Sequence, residues 1–294
     1  MVRMIAVLLT CAFGVLSCGQ DDADLAEPDD VGGEQEQPLD TDEDPDDDPP
    51  VVANLSERHS EWIEIPQGGR IVAAFVSHPE VVDPTLALIL IHENRGLTDW
   101  VRDLADQVAD IGYIAIAPDL LSGMAPGGGN TADFANQNTA GQAISALPPA
   151  QITADLTAIA DAVAALIESN GAVAVAGFCW GGTETFRFAT NFADLSAVCV
   201  FYGSGPTNVA AIQRITAPVY GFYGGIDGRI NVTIPQTEQL MQAAGKLYEP
   251  IIYDGAGHAF MRRAAETENE ADPNKQAGNA SWDRLQTILD AHRL

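Results

Sequence analysis

The apolar positions divide the chain into three zones. Met4–Leu16 is a nearly unbroken apolar run of thirteen residues, residues 19–54 are almost entirely polar, and from Ser56 onward the pattern is periodic. In the periodic zone, Trp62-Ile63-Glu64-Ile65 and Ile71–Val76 flank Gly68-Gly69, which predicts an antiparallel hairpin. Leu86–Ile91 has no polar interruption, as in a strand covered on both faces of a parallel sheet. Trp100, Leu104, Val108 and Ile111 recur at helical spacing, so a helix is expected over 98–111, entered through Thr98 and closed by Gly112. A second buried strand follows at Tyr113–Ala117 and stops at Pro118. Residues 118–149 carry Gly127-Gly128-Gly129 and Pro148-Pro149 and are expected to be a long loop. Beyond it a helix is predicted over 151–169, then a strand at Ala172–Ala176 and a helix over 183–192. Strands at Ala197–Tyr202 and Val219–Tyr223, a helix over 235–244, a strand at Tyr248–Tyr253 and a helix over 282–292 complete the series. Strands alternating with helices imply one mostly parallel sheet with helices on both faces.

One junction in that alternation carries chemistry. The strand ending at Ala176 runs directly into Gly177-Phe178-Cys179-Trp180-Gly181-Gly182 and then into a helix. This is the glycine-x-nucleophile-x-glycine pattern of the α/β-hydrolase elbow, with cysteine where serine is usual. The turn is tight, so the positions two before and two after the nucleophile must be small, and Gly177 and Gly181 meet that need. A thiol placed there lies near a helix N-terminus, whose dipole favours a thiolate. The rival reading is a glycine-bounded turn with an inert buried cysteine.

In such a fold the nucleophile is followed in the chain by an acid and then a histidine. Downstream of Cys179 the chain offers Asp227, in Tyr223-Gly224-Gly225-Ile226-Asp227, and His258, in a glycine-rich loop after the last predicted strand. The other downstream histidine, His292, ends the terminal helix, so His258 is the expected base. Asp254 competes with Asp227 for the acid, and Asp227 occupies the expected place. Upstream, His92-Glu93-Asn94-Arg95-Gly96-Leu97 ends a buried strand where a hydrolase supplies one oxyanion N–H. The expected donors are therefore the backbone amides of Asn94 and Trp180. Glu93 either accepts the thiol proton or keeps the thiol neutral; its alternative is a salt bridge to Arg95 or to another arginine. Trp180, Phe260, Met124 and Phe134 are candidates for the pocket wall, against the alternative of ordinary packing.

His92–Leu97, Ala117-Pro118-Asp119-Leu120, Gly177–Gly182 and Gly255-Ala256-Gly257-His258-Ala259-Phe260 together resemble the dienelactone hydrolase (carboxymethylenebutenolidase) family over about residues 61–292. The resemblance implies an α/β-hydrolase fold and a triad of Cys179, His258 and Asp227. It also implies that Glu93 pairs with the thiol and takes its proton when substrate enters. Family members that act on dienelactone grip the substrate carboxylate with two arginines. Arg262 matches one, and Phe260 would contact substrate beside it. No arginine occurs in Ser122–Gly171, where the second is expected. The activity implied is cleavage of a lactone or carboxylic ester through a thioester acyl-enzyme. The alternatives are a broad acyl-ester or peptide hydrolase, or a non-catalytic surface lipoprotein that uses the fold for binding.

Charge and the N-terminal zones add the setting. The formal net charge is −28, residues 21–50 contain no Lys or Arg, and the chain has only two lysines, Lys246 and Lys275. Nucleic acid is an unsuitable partner for such a surface. A small-molecule substrate and a monomer are expected. Arg3, the following apolar run and Val15-Leu16-Ser17-Cys18 resemble a lipoprotein signal, which implies lipidation of Cys18 and anchoring in a bacterial cell envelope. Three segments are thus expected: a signal over 1–18, a disordered acidic tether over 19–54 and a catalytic domain over 55–294. Cys199 is expected to be a buried core thiol. No cofactor fingerprint is present, and no metal set is expected, with His59 and His78 taken as surface residues.

Overall fold

The computed structural model describes residues 59–81 and 83–293. The expected signal, the Cys18 lipidation site and the acidic tether all lie outside these residues. An eight-stranded sheet forms the centre, in the order β1-β2-β4-β3-β5-β6-β7-β8. β1 (Ser60–Gln67) and β2 (Arg70–Ser77) form the expected antiparallel hairpin, closed by Gly68 and Gly69, both at positive φ. β2 also runs antiparallel to β4, while β4 (Ile114–Pro118), β3 (Thr85–Ile91), β5 (Ser169–Phe178), β6 (Ala197–Phe201), β7 (Val219–Gly224) and β8 (Tyr248–Tyr253) are mutually parallel. This is the α/β-hydrolase architecture.

Strand alternation builds two cores from one sheet. Leu86, Leu88 and Leu90 of β3 and Ala174 and Ala176 of β5 pack on one face with α1 (Asp99–Asp110) and the long terminal helix. Ala87, Ile89 and Ile91 and Val173 and Val175 pack on the other face. There they meet α2 (Gln137–Ser145), α3 (Pro149–Ala164) and α4 (Trp180–Ala189). α5 (Val209–Ile212) and α6 (Gly228–Asn231) are single turns, followed by α7 (Ile234–Ala243), α8 (Phe260–Ala265) and α9 (Pro273–His292). Every residue of β3 is buried, as its unbroken apolar run requires.

Several boundaries differ from the sequence expectation. The expected loop over 118–149 contains α2, capped by Asn136, whose side chain accepts from the Thr139 N–H, and anchored by buried Ala140 and Ile144. The helix expected over 151–169 ends at Ala164, because Glu168 and Ser169 are drawn into the sheet beside Thr85. α4 begins three residues early, directly after Cys179, and α9 begins at Pro273, which Asp272 caps through Asn274 N–H.

Candidate active site

The elbow is held by contacts that only glycine allows. A Cβ on Gly177 would stand 2.2 Å from Thr185 Oγ1 and 2.3 Å from the Gly181 carbonyl oxygen. One on Gly181 would stand 2.3 Å from the His92 carbonyl oxygen. The backbone of β3's end, the elbow and α4 therefore close on one another, and Cys179 is left at φ 57° and ψ −112° as the cap of α4. That left-handed φ is costly for a residue with a side chain and is sustained by the surrounding packing. It presents Sγ at the carboxyl edge of the sheet.

Two chains of polar groups converge on that sulfur. In the first, His258 Nε2 lies 3.0 Å from Cys179 Sγ, and His258 Nδ1 lies 2.5 Å from Asp227 Oδ2. With the Nδ1 proton directed to Asp227, Nε2 is the acceptor facing sulfur. Asp227 is buried and anchored by the Ile230 N–H at the start of α6, whereas Asp254 is exposed on its turn. Of the two acids considered, the fold thus brings Asp227 to the histidine. Ala259, at φ 59°, turns the chain sharply after His258 into α8.

The second chain comes from the opposite side. Glu93 is buried, accepts from Arg262 Nε at 3.1 Å, and lies 3.5 Å from the Tyr202 hydroxyl. Arg262 also pairs with Glu266, the residue that caps the end of α8. The salt bridge considered for Glu93 therefore forms with Arg262 rather than Arg95. Its charge still reaches the sulfur. Burial, then the Glu93 carboxylate, push the Cys179 thiol up from its ordinary value. The Trp180 and Asn94 backbone N–H groups and the Arg229 guanidinium oppose that shift without cancelling it. The helix N-terminus does pull toward a thiolate, through the Trp180 N–H, but desolvation and the nearby carboxylate outweigh it. The Asn94 and Trp180 N–H groups both face the sulfur.

Other site expectations fare differently. Phe260 has no exposed surface; it packs edge-on to Tyr202 at 5.2 Å and supports the wall from behind. Trp180 is half-buried and stacks on the buried His92 ring at 5.6 Å, while Met124 is exposed. Cys199 is fully buried and unbridged, and burial pushes its thiol up to about 12, so it is an inert core residue. Two residues escaped sequence reasoning. Tyr202, at φ 40°, sets its ring against His258 at 5.1 Å and its hydroxyl toward Glu93. Arg229, 3.5 Å from His258 Nε2, brings a cation to the mouth of the site. Its closeness in sequence to Asp227 was the available signal. The placement of His59 and His78 on the surface holds only for His59; the His78 side chain is 11% exposed, and both lie with Glu61 in a cluster of potential metal ligands.

Comparison with known proteins gives a consistent result. The model of the "Dienelactone hydrolase family" matches residues 72–292. A Saccharolobus solfataricus protein provisionally named a carboxymethylenebutenolidase is 31% identical over 257 residues, covering 75% of this chain and 94% of its own. A similarly named Methylorubrum extorquens protein is 30% identical over 216 residues, covering 67% and 71%. A crystal structure of a provisionally named dienelactone hydrolase from Klebsiella pneumoniae superposes with a TM-score of 0.69 at 27% identity, over 80% of this chain and 99% of that one.

Proposed function

The chain belongs to the dienelactone hydrolase family, and from that premise we propose that it cleaves a carboxylic ester or lactone with a triad of Cys179, His258 and Asp227. The observation that carries this reading is the imidazole bridging sulfur and carboxylate at 3.0 and 2.5 Å. The thiol proton passes to His258 Nε2 as sulfur attacks the carbonyl carbon. The oxyanion is received by the Asn94 and Trp180 N–H groups. His258 returns its proton to the leaving alkoxide, giving a thioester. The same imidazole then takes a proton from water, the hydroxide so formed adds to the thioester carbonyl, and as the C–S bond breaks to release the acid His258 returns its proton to the leaving sulfur.

Glu93 and Arg262 make the thiol conditional. A substrate carboxylate that draws Arg262 to itself frees Glu93 to turn toward sulfur and act as the alternative proton acceptor, as the family resemblance implies. Arg229, beside the same His258 nitrogen that faces the sulfur, is the candidate for a second cation toward such a substrate. The residues 1–18 support placing the enzyme in a bacterial cell envelope, anchored through Cys18.

Hydrolysis of a panel of aryl esters and lactones tests this directly. Cys179→Ala is expected to lower turnover by about 10³-fold or more. A variant keeping more than about a tenth of wild-type activity overturns the nucleophile assignment. Arg262→Gln is expected to raise KM for carboxylate-bearing esters and to leave KM for neutral esters nearly unchanged.

A further inference from the structure

Four strands away from the elbow, at the open edge of the sheet, the hairpin carries a cluster that the catalytic reading does not use. In the antiparallel register Ser60 faces Ser77, and the His78 N–H donates to the His59 carbonyl at 3.1 Å. His59 and His78 are thus cross-strand neighbours, and Glu61, two residues along β1, returns to the same face as His59. Their ligand atoms all lie within 4.8 Å of one another. Glu61 Oε1 is 3.6 Å from His78 Nε2 and 3.9 Å from His59 Nε2.

His78 is the informative member. Its two ring nitrogens are buried and have no hydrogen-bond partner among the described residues, and Glu61 stands past hydrogen-bond length. A buried imidazole left unsatisfied is unfavourable, and here it is aimed at a carboxylate and a second imidazole. We propose that His59, Glu61 and His78 bind one divalent transition-metal ion of the zinc type. Two neutral imidazole nitrogens and one carboxylate oxygen form a donor set suited to zinc, with water completing the tetrahedron. Ligand atoms on a zinc ion with bonds of about 2.0–2.1 Å lie roughly 3.3 Å apart. The two Glu61 separations therefore need closing by about half an ångström, within reach of rotation of the exposed His59 and Glu61 side chains.

The ion would be structural. Strand spacing of about 4.8 Å places β1 roughly 19 Å from β5 and its elbow. The bound ion clips the start of β1 to the end of β2.

The test uses the full chain carrying Cys179→Ala, so that the thiol cannot serve as a ligand, after treatment with chelator. Titration with zinc chloride in a calorimeter is expected to show one saturable site per chain and to raise Tm by about 5 °C or more at a hundredfold excess over Kd. Cobalt(II) is expected to give the visible absorption of a low-coordinate site. Adding His78→Gln or, on the exposed side where folding is safe, His59→Gln is expected to abolish all three signals. No saturable site, or an isotherm unchanged by His59→Gln, as weak binding to the acidic residues 21–50 would give, overturns the proposal. Ester hydrolysis by the wild-type chain is expected to survive either histidine substitution, so this site and the triad fail independently.

Discussion

The two polar chains that meet at Cys179 work in opposite directions. On one side, His258 and Asp227 form a relay that can remove the thiol proton, with Nε2 3.0 Å from sulfur. On the other, Glu93, buried and held by Arg262 and Tyr202, sets a negative charge that keeps the proton in place. The relay supplies reactivity, and the ion pair restrains it. A thiol whose pKa is pushed up is less prone to oxidation and alkylation than one held as a thiolate.

That comparison can be broken from either side. The largest expected effect lies in the relay: His258→Gln should lower kcat/KM for ester substrates by about 10²–10⁴-fold while circular dichroism remains native. A smaller loss would place the base elsewhere. The elbow that supports the relay is next. Gly177→Ala drives a methyl into the Gly181 carbonyl and Thr185, and unfolding in denaturant should show about 1–3 kcal/mol of lost stability together with lost activity. Glu93→Gln tests the restraining side. The carboxylate raises the thiol pKa, so its removal should lower that pKa and increase the thiolate fraction at any pH between the two values. The midpoint of the pH profile for iodoacetamide alkylation of Cys179 should therefore move to lower pH. An upward move would reverse the sign assigned to Glu93. The smallest effect belongs to Asp254→Asn. It should leave kcat/KM within about twofold, because a surface turn residue contributes little.

The relay and the restraint also differ in how far they could be read in advance. Cys179, Asp227 and His258 each follow a strand and sit among glycines, so their order and spacing indicated one site before any contact was known. The Glu93 partner could not be read this way. Arg262 lies 169 positions downstream, and several arginines were available to it. Tyr202 gave no signal at all, since a tyrosine closing an apolar strand reads as core. The direction in which the sulfur's pKa moves has a related limit: a helix N-terminus is visible in sequence, but desolvation and the nearness of a carboxylate are not. In the fold, the inner strands β3, β4, β5, β6 and β7 were legible because burial on both faces writes continuous apolar runs. The short helices α2, α5, α6 and α8 were not, since a turn or two imposes too few periodic positions to register.

By itself the sequence determined the alternation of strands and helices, the parallel sheet it implies and the glycine positions that force an elbow at Cys179. These depend on local periodicity and on the size of single residues, which a linear chain states directly. Tertiary structure alone decided which carboxylate meets which cation, that burial and Glu93 push the thiol pKa up, and that His59, Glu61 and His78 converge at the sheet edge. Those outcomes depend on burial and on distances between residues far apart in the chain, and both exist only once the sheet has closed.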